Sequence, residues 1–139
     1  MRSSVAERTI APISEEGDSA GSPPPILEEA LQRIPGSTHH RSRFGPEPAL
    51  WLHGREIAHL HKDRSIDIRL TRTLVRRLYS DLRTDPRISF RQSTGADWIE
   101  ARCQTFEDED FCLHLIELAG EANEVGGAIH PTRSTSTRG

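Results

Sequence analysis

Two histidines and an aspartate near the middle of the chain have side chains and a spacing that suit chemistry. His59 and His61 alternate within one run, and Asp67 follows in a second alternating run. Side chains two residues apart in a strand share a face, so the two imidazoles would lie side by side. Together with a carboxylate, either Asp67 or Glu56, they match the ligand types of a divalent transition metal.

Two short strands must position these residues. Residues 56–61 and 65–70 both alternate polar with apolar side chains, and a three-residue turn joins them. That turn length pairs His59 with Asp67 across the strands. The side chains that would face solvent together on this hairpin are those of His59, His61, Asp67 and Arg69.

A second strand pair, 88–92 and 98–104, extends the same exposed face. Its apolar positions alternate with polar ones, and Trp98 is the aromatic residue expected on the polar side. The full set of predicted ligand-binding residues is His59, His61, Asp67, Arg69, Arg91, Trp98, Glu100 and Arg102.

Several functions fit this set, and the residues alone leave them open. Metal binding would use His59, His61 and Asp67, whereas acid–base catalysis would use a histidine paired with Asp67 as a general base. The structural alternative is a His59–Asp67 hydrogen bond that holds the hairpin register. An anionic ligand could be recognised instead by the arginines at 69, 91 and 102 with His61.

Nucleic-acid binding through the arginine-rich region 69–91 is a further alternative. Residues 39–91 carry 12 Lys and Arg against 6 Asp and Glu, whereas residues 92–125 carry 1 against 9. Such asymmetry can mark a phosphate-binding surface, or two solvated patches that attract each other. No helix-turn-helix, zinc-finger or aromatic RNA-binding pattern accompanies it, so a nucleic-acid partner is not expected.

The elements follow the order α-β-β-β-α-β-β-α, which predicts an α+β fold. Because the strands alternate, the sheet should be mainly antiparallel, with five strands and one apolar face that the helices cover in a two-layer sandwich. The predicted helices are 25–34, 71–82 and 107–124, and the predicted strands are 49–53, 56–61, 65–70, 88–92 and 98–104.

Composition limits the domain organisation and the cellular setting. Hydrophobic residues make up 34% of the 139 residues, too few for the whole chain to pack as one globule. We therefore expect a disordered arm at 1–24, a folded domain at 25–124 and a disordered tail at 125–139. No apolar run reaches the length of a membrane span or a signal peptide, so the expected location is the cytoplasm.

The run Gly54-Arg55-Glu56-Ile57-Ala58-His59-Leu60-His61, followed by Ile66-Asp67-Ile68-Arg69, resembles the luciferase-domain family of small bacterial and archaeal proteins. The later Asp97-Trp98-Ile99-Glu100 and Glu109-Asp110-Phe111 segments are similar to that family too. The resemblance covers about 26–122. It implies a small α+β domain but does not imply a light-emitting reaction, since flavin-dependent luciferases are much larger barrels.

These observations lead to one functional hypothesis and its runner-up. The chain is expected to be a small cytosolic module that binds a small anionic ligand or a protein partner through the face containing His59, His61 and Asp67. The runner-up is a metal-dependent or acid–base enzyme that uses the same residues. Catalytic residues, a cofactor and an oligomeric state are not indicated by the sequence.

Overall fold

The computed structural model describes residues 22–90 and 96–127. Most of the predicted terminal segments, 1–24 and 125–139, lies outside the described residues, as does Arg91 of the predicted site. The described elements are α1 (Pro25–Arg33), β1 (Ser37–Arg41), β2 (Pro48–Leu52), β3 (Arg55–Leu60), β4 (Ser65–Arg69), α2 (Arg72–Leu82), β5 (Ile88–Phe90), β6 (Trp98–Arg102) and α3 (Phe106–Gly127).

The strands of the described residues form one antiparallel sheet in the order β1-β2-β3-β4-β6-β5. The predicted α+β class is confirmed, but the sheet has six strands rather than five. The additional strand is β1, which lies inside the 36–47 segment that was expected to be a loop. It has no apolar alternation, because it is an edge strand held through backbone pairing with β2.

One hydrophobic core joins the three helices to the sheet. Ile26 and Leu27 of α1 and Ile116 of α3 are fully buried in it. The two helices approach closely, since a Cβ atom at Gly120 would lie 3.2 Å from the Ile34 side chain. Among the described residues, none of the helices has the length and apolar character that crossing a bilayer requires.

The helix α2 begins as the sequence predicts. The Thr71 hydroxyl accepts a hydrogen bond from the Leu74 backbone amide, which satisfies one of the free donors at the helix N-terminus. Val75 and Leu82 face the core, whereas the arginines of this helix are exposed. The helix therefore contributes a narrow apolar stripe to the domain and leaves its charged side in solvent.

The two central hairpins have different turns. The β2–β3 turn is made by His53 and Gly54, both with positive φ (55° and 78°), as a two-residue hairpin turn requires. The sequence placed this turn one residue later, at Gly54-Arg55. The β3–β4 register agrees with the prediction: His59 pairs with Asp67, and the His61 amide donates to the Ser65 carbonyl oxygen at 2.8 Å.

Candidate functional site

A β-bulge in β3 brings an additional carboxylate to the predicted face. Leu50 pairs with Ala58 but Trp51 pairs with Glu56, so Ile57 has no partner across the β2–β3 ladder. A bulge of this kind interrupts the alternation of side chains. As a result, the side chain of Glu56 contacts that of His59, although they are three positions apart and regular alternation would place them on opposite faces.

His59 lies between two carboxylates. Its Nδ1 is 2.8 Å from Glu56 Oε2, and its Nε2 is 3.1 Å from Asp67 Oδ2. His61 Nε2 lies 3.1 Å from the same Asp67 oxygen. One ligand atom each from His59, His61 and Asp67 lie within 4.8 Å of one another. The predicted triad is therefore assembled around a single carboxylate oxygen.

A loop, residues 42–47, holds Glu56 in place from above the sheet. The Ser42 hydroxyl donates to Glu56 Oε2 at 2.7 Å, and the Arg43 amide donates to Oε1 at 2.8 Å. The loop is closed by a hydrogen bond from the Ser42 amide to the Glu47 carbonyl oxygen. This loop was not predicted to have a function, since its residues follow no period and their partner Glu56 lies 13 or 14 positions further along the chain.

The expectation that both imidazoles face solvent is wrong for His59. Its exposed fraction is 5%, whereas the His61 side chain is 28% exposed. The rings of Phe44 and Trp98 lie over His59, with centroids 5.8 Å and 5.7 Å from its ring. Phe44 belongs to the 42–47 loop, and this loop is what converts the predicted open face into a partly covered site.

Burial and hydrogen bonding act against each other on the titratable groups. Burial favours the neutral imidazole, but the hydrogen bonds and charges of Asp67 and Glu56 outweigh it and raise the pKa of His59 to about 9. Burial would raise the pKa of Glu56 and of Asp67, yet the hydrogen bonds and charge of His59 lower both pKa values. At Glu56, hydrogen bonds from Arg43 and Ser42 lower the pKa further. Without a bound cation, His59 is thus an imidazolium between two carboxylates.

Residues 54–119 of this chain match the model of the luciferase domain family. The matched segment covers 66 of the 139 residues. The resemblance predicted from residues 54–71 and 97–119 is thereby confirmed, over a shorter range than the expected 26–122. No curated protein and no solved structure matched the chain in the corresponding comparisons.

The other predicted site residues differ in how close they lie to His59, His61 and Asp67. Glu100 pairs with Asp67 across β4 and β6, and Trp98 contacts His59. Arg69 turns away to Asp97 and to the Asn123 side chain of α3. Arg102 lies 3.7 Å from Asp108 at the start of α3. The arginines at 69 and 102 are therefore ion-paired elsewhere and do not join the histidines.

Three residues of the site were missed or only partly anticipated from the sequence. Glu56 was considered only as a substitute carboxylate, and the roles of Ser42 and Phe44 were not predicted. The one available signal was the position of Glu56, a charged residue inside a strand that is buried at five consecutive positions. A carboxylate that is 1% exposed requires hydrogen-bond donors, and these come from the 42–47 loop.

Proposed function

We propose that this luciferase domain is a ligand-binding module whose ligand is a divalent transition-metal ion such as zinc. His59, His61 and Asp67 are the proposed ligands, and Glu56 orients the His59 ring. Imidazole nitrogen and carboxylate oxygen are the donor types that zinc accepts, and three protein ligands leave a coordination position for a small molecule.

The observation that carries this proposal is the convergence of two imidazole nitrogens on one carboxylate oxygen. Each nitrogen lies 3.1 Å from Asp67 Oδ2. Ligand atoms at about 2.0–2.2 Å from a tetrahedral zinc ion are roughly 3.3 Å apart, so these two separations need little adjustment. Binding would replace the proton on His59 Nε2 with the metal.

The surroundings of His59 also support a metal ligand. A histidine that binds metal through one nitrogen commonly donates its other N–H to a carboxylate, which sets the tautomer and the ring orientation. Glu56 Oε2 is placed for that role at 2.8 Å from Nδ1. Because Ser42 and Arg43 hold Glu56, this support is organised before any ion enters.

Charge favours a cation over the small anionic ligand considered above. With His59 protonated, the formal charges of Glu56, Asp67 and His59 sum to −1, and the arginines at 69 and 102 are paired with acids elsewhere. Acid–base catalysis by His59 has less support, because both ring nitrogens already contact carboxylates and the side chain is buried.

Metal analysis of the purified protein tests the proposal. We expect the wild-type chain to bind one zinc ion in titration calorimetry and the double variant His59→Ala, His61→Ala to bind none. A matched control, His40→Ala, His114→Ala, removes two exposed histidines away from the site and should bind as the wild type does. At free zinc 100 times the Kd, bound metal should stabilise the fold by about 2.7 kcal/mol, so the Tm should rise.

Two results would contradict the metal site. The first is a wild-type protein with no zinc binding and a Tm that is unchanged by zinc or by EDTA. The second is zinc binding that survives in the His59/His61 variant. Inorganic phosphate serves as the parallel probe, and a Tm raised by phosphate but not by zinc would favour the anionic ligand.

A further inference from the structure

Phe44 is exposed in a place where exposure needs an explanation. In the part of the chain that the structure describes, two large apolar side chains are exposed: Phe44 at 63% and Phe106 at 43%. A single exposed phenylalanine is ordinary on a protein surface. Phe44 differs because its ring packs against His59 of the proposed metal site, with the ring centroids 5.8 Å apart, although 63% of the residue is exposed.

The backbone of Phe44 is held by hydrogen bonds, so its side chain is exposed on an ordered loop. The Phe44 amide donates to the Ser42 hydroxyl oxygen at 3.0 Å, and the same hydroxyl donates to buried Glu56. The 42–47 loop is closed through Glu47. A loop backbone held in this way loses little further freedom when a ligand packs on the Phe44 ring, which favours binding.

Trp98 and Phe44 together form an aromatic wall beside the proposed ligands. Their ring centroids are 5.9 Å apart and their planes are nearly perpendicular, at 87°. Such a pair can receive a third ring, either stacked on one face or edge-to-face. The guanidinium of Arg43 lies over the Phe44 ring, 5.6 Å from its centroid, and adds a positive charge to the wall.

We infer that this site takes a small molecule in which an oxygen-donor head group is joined to a flat aromatic ring. The head group coordinates the metal at the position that His59, His61 and Asp67 leave open, and the ring packs on the wall of Phe44 and Trp98. Phe44 is then a residue that determines ligand specificity. This inference rests on the proposed function, because the head group needs the metal.

A comparison of two hydroxamates tests the inference with cobalt(II) in place of zinc. Cobalt binding is first followed by its visible absorption, and acetohydroxamate and benzohydroxamate are then titrated into the cobalt-loaded protein. We expect benzohydroxamate to bind about tenfold more tightly, the gain expected of one buried aromatic contact. Phe44→Ala should reduce this ratio to near one, whereas the control Phe106→Ala should keep the wild-type ratio.

The outcomes separate the two proposals. If cobalt binds but both hydroxamates bind equally, or if Phe44→Ala keeps the wild-type ratio, the aromatic wall is refuted and the metal site stands. If the wild-type protein gives no cobalt absorption, both proposals fail. Should Phe44→Ala unfold the protein, Phe44→Leu preserves apolar bulk without the ring and is expected to lower the ratio as well.

Discussion

The β3–β4 hairpin buries charged groups in two regions, and the two regions treat them differently. In the strands, His59, Glu56 and Asp67 are buried and are one another's partners at 2.8–3.1 Å. In the turn, Arg64 is 7% exposed, and its Nε and Nη2 atoms have no hydrogen-bond partner among the described residues. Within the same residues, Oε2 of nearby Glu109 is also buried without one.

The two regions differ in how well their buried polar groups are compensated. Burying a charge is costly unless hydrogen bonds and an opposite charge compensate. His59 and Glu56 in the strand cluster have both, and the 42–47 loop holds Glu56. His61 Nε2 in the same cluster is buried without a hydrogen-bond partner among the described residues. In the turn region Arg64 and Glu109 carry opposite charges that act on each other, but Arg64 Nε, Arg64 Nη2 and Glu109 Oε2 have no hydrogen-bond partner among the described residues. Arg64 also adopts a positive φ of 71°, which is unusual for a residue with a side chain. The contrast supports the proposed ligand binding at the cluster and predicts a stability cost at the turn.

Among these variants, removal of Glu56 should lower the free energy of unfolding most. A small effect would contradict the difference drawn between the strand cluster and the turn. We expect Glu56→Ala to lower the free energy of unfolding by about 3–5 kcal/mol. The variant leaves the buried Nδ1 of His59 and the two donors of the 42–47 loop without an acceptor. Urea denaturation of the metal-free protein measures this. Glu56→Gln, which keeps one acceptor oxygen, should cost less. A loss below about 1 kcal/mol for Glu56→Ala would show that the cluster is not organised through this residue.

The free energy of unfolding should depend on pH through the titratable groups of the strand cluster. The pKa of His59 is about 9 in the folded protein, above the ordinary value of 6.5. Its contribution, about 3 kcal/mol, is therefore fully present below pH 6.5 and is lost as the pH rises through 9. The lowered pKa values of Glu56 and Asp67 act in the opposite direction, so their contribution is present above about pH 4.5 and is lost on acidification.

Urea denaturation of EDTA-treated protein between pH 4 and pH 10 measures this dependence. His59→Gln is the control, because it removes the titrating imidazole and should flatten the alkaline side of the profile. An equal alkaline loss in the variant and the wild type would assign that loss to other groups.

Substitution of Glu109 should change the stability least, and it tests the turn region of the comparison. Burial raises the pKa of this carboxyl group, so the ionised form destabilises the fold above that pKa, and the cost disappears below the ordinary pKa near 4.5. We expect Glu109→Gln to stabilise the protein by about 0.5–1 kcal/mol at pH 7 and by little at pH 4. Thermal denaturation at the two pH values checks this.

Glu107→Gln is the matched control for that measurement. Glu107 is exposed in the same first turn of α3, so both substitutions remove an acidic group that the helix dipole favours. Only the difference between the two variants reports on burial. If Glu109→Gln is no more stable than Glu107→Gln at neutral pH, the carboxylate of Glu109 does not carry the cost that its burial implies.

Much of the fold could be predicted because its signals are local. Alternation over 65–70 and a three-residue turn were enough to pair His59 with Asp67, and the Thr71 cap marked the start of α2. Strand β1 was missed because an edge strand with exposed polar side chains has no apolar period. What holds it is backbone pairing with β2, and the partner of a strand is not written in its own residues.

The β3–β4 pairing, and with it the shared face of His59, His61 and Asp67, follows from the sequence by itself, since side chains in a strand alternate with a period of two and the turn length sets the register. The tertiary structure alone decided the environment of those residues. The bulge at Ile57 depends on how β2 pairs with β3, and it brings Glu56 to the same face. The cover over His59 depends on where the 42–47 loop lies. Both are long-range contacts, and long-range contacts determine whether a polar face stays open to water or becomes a site.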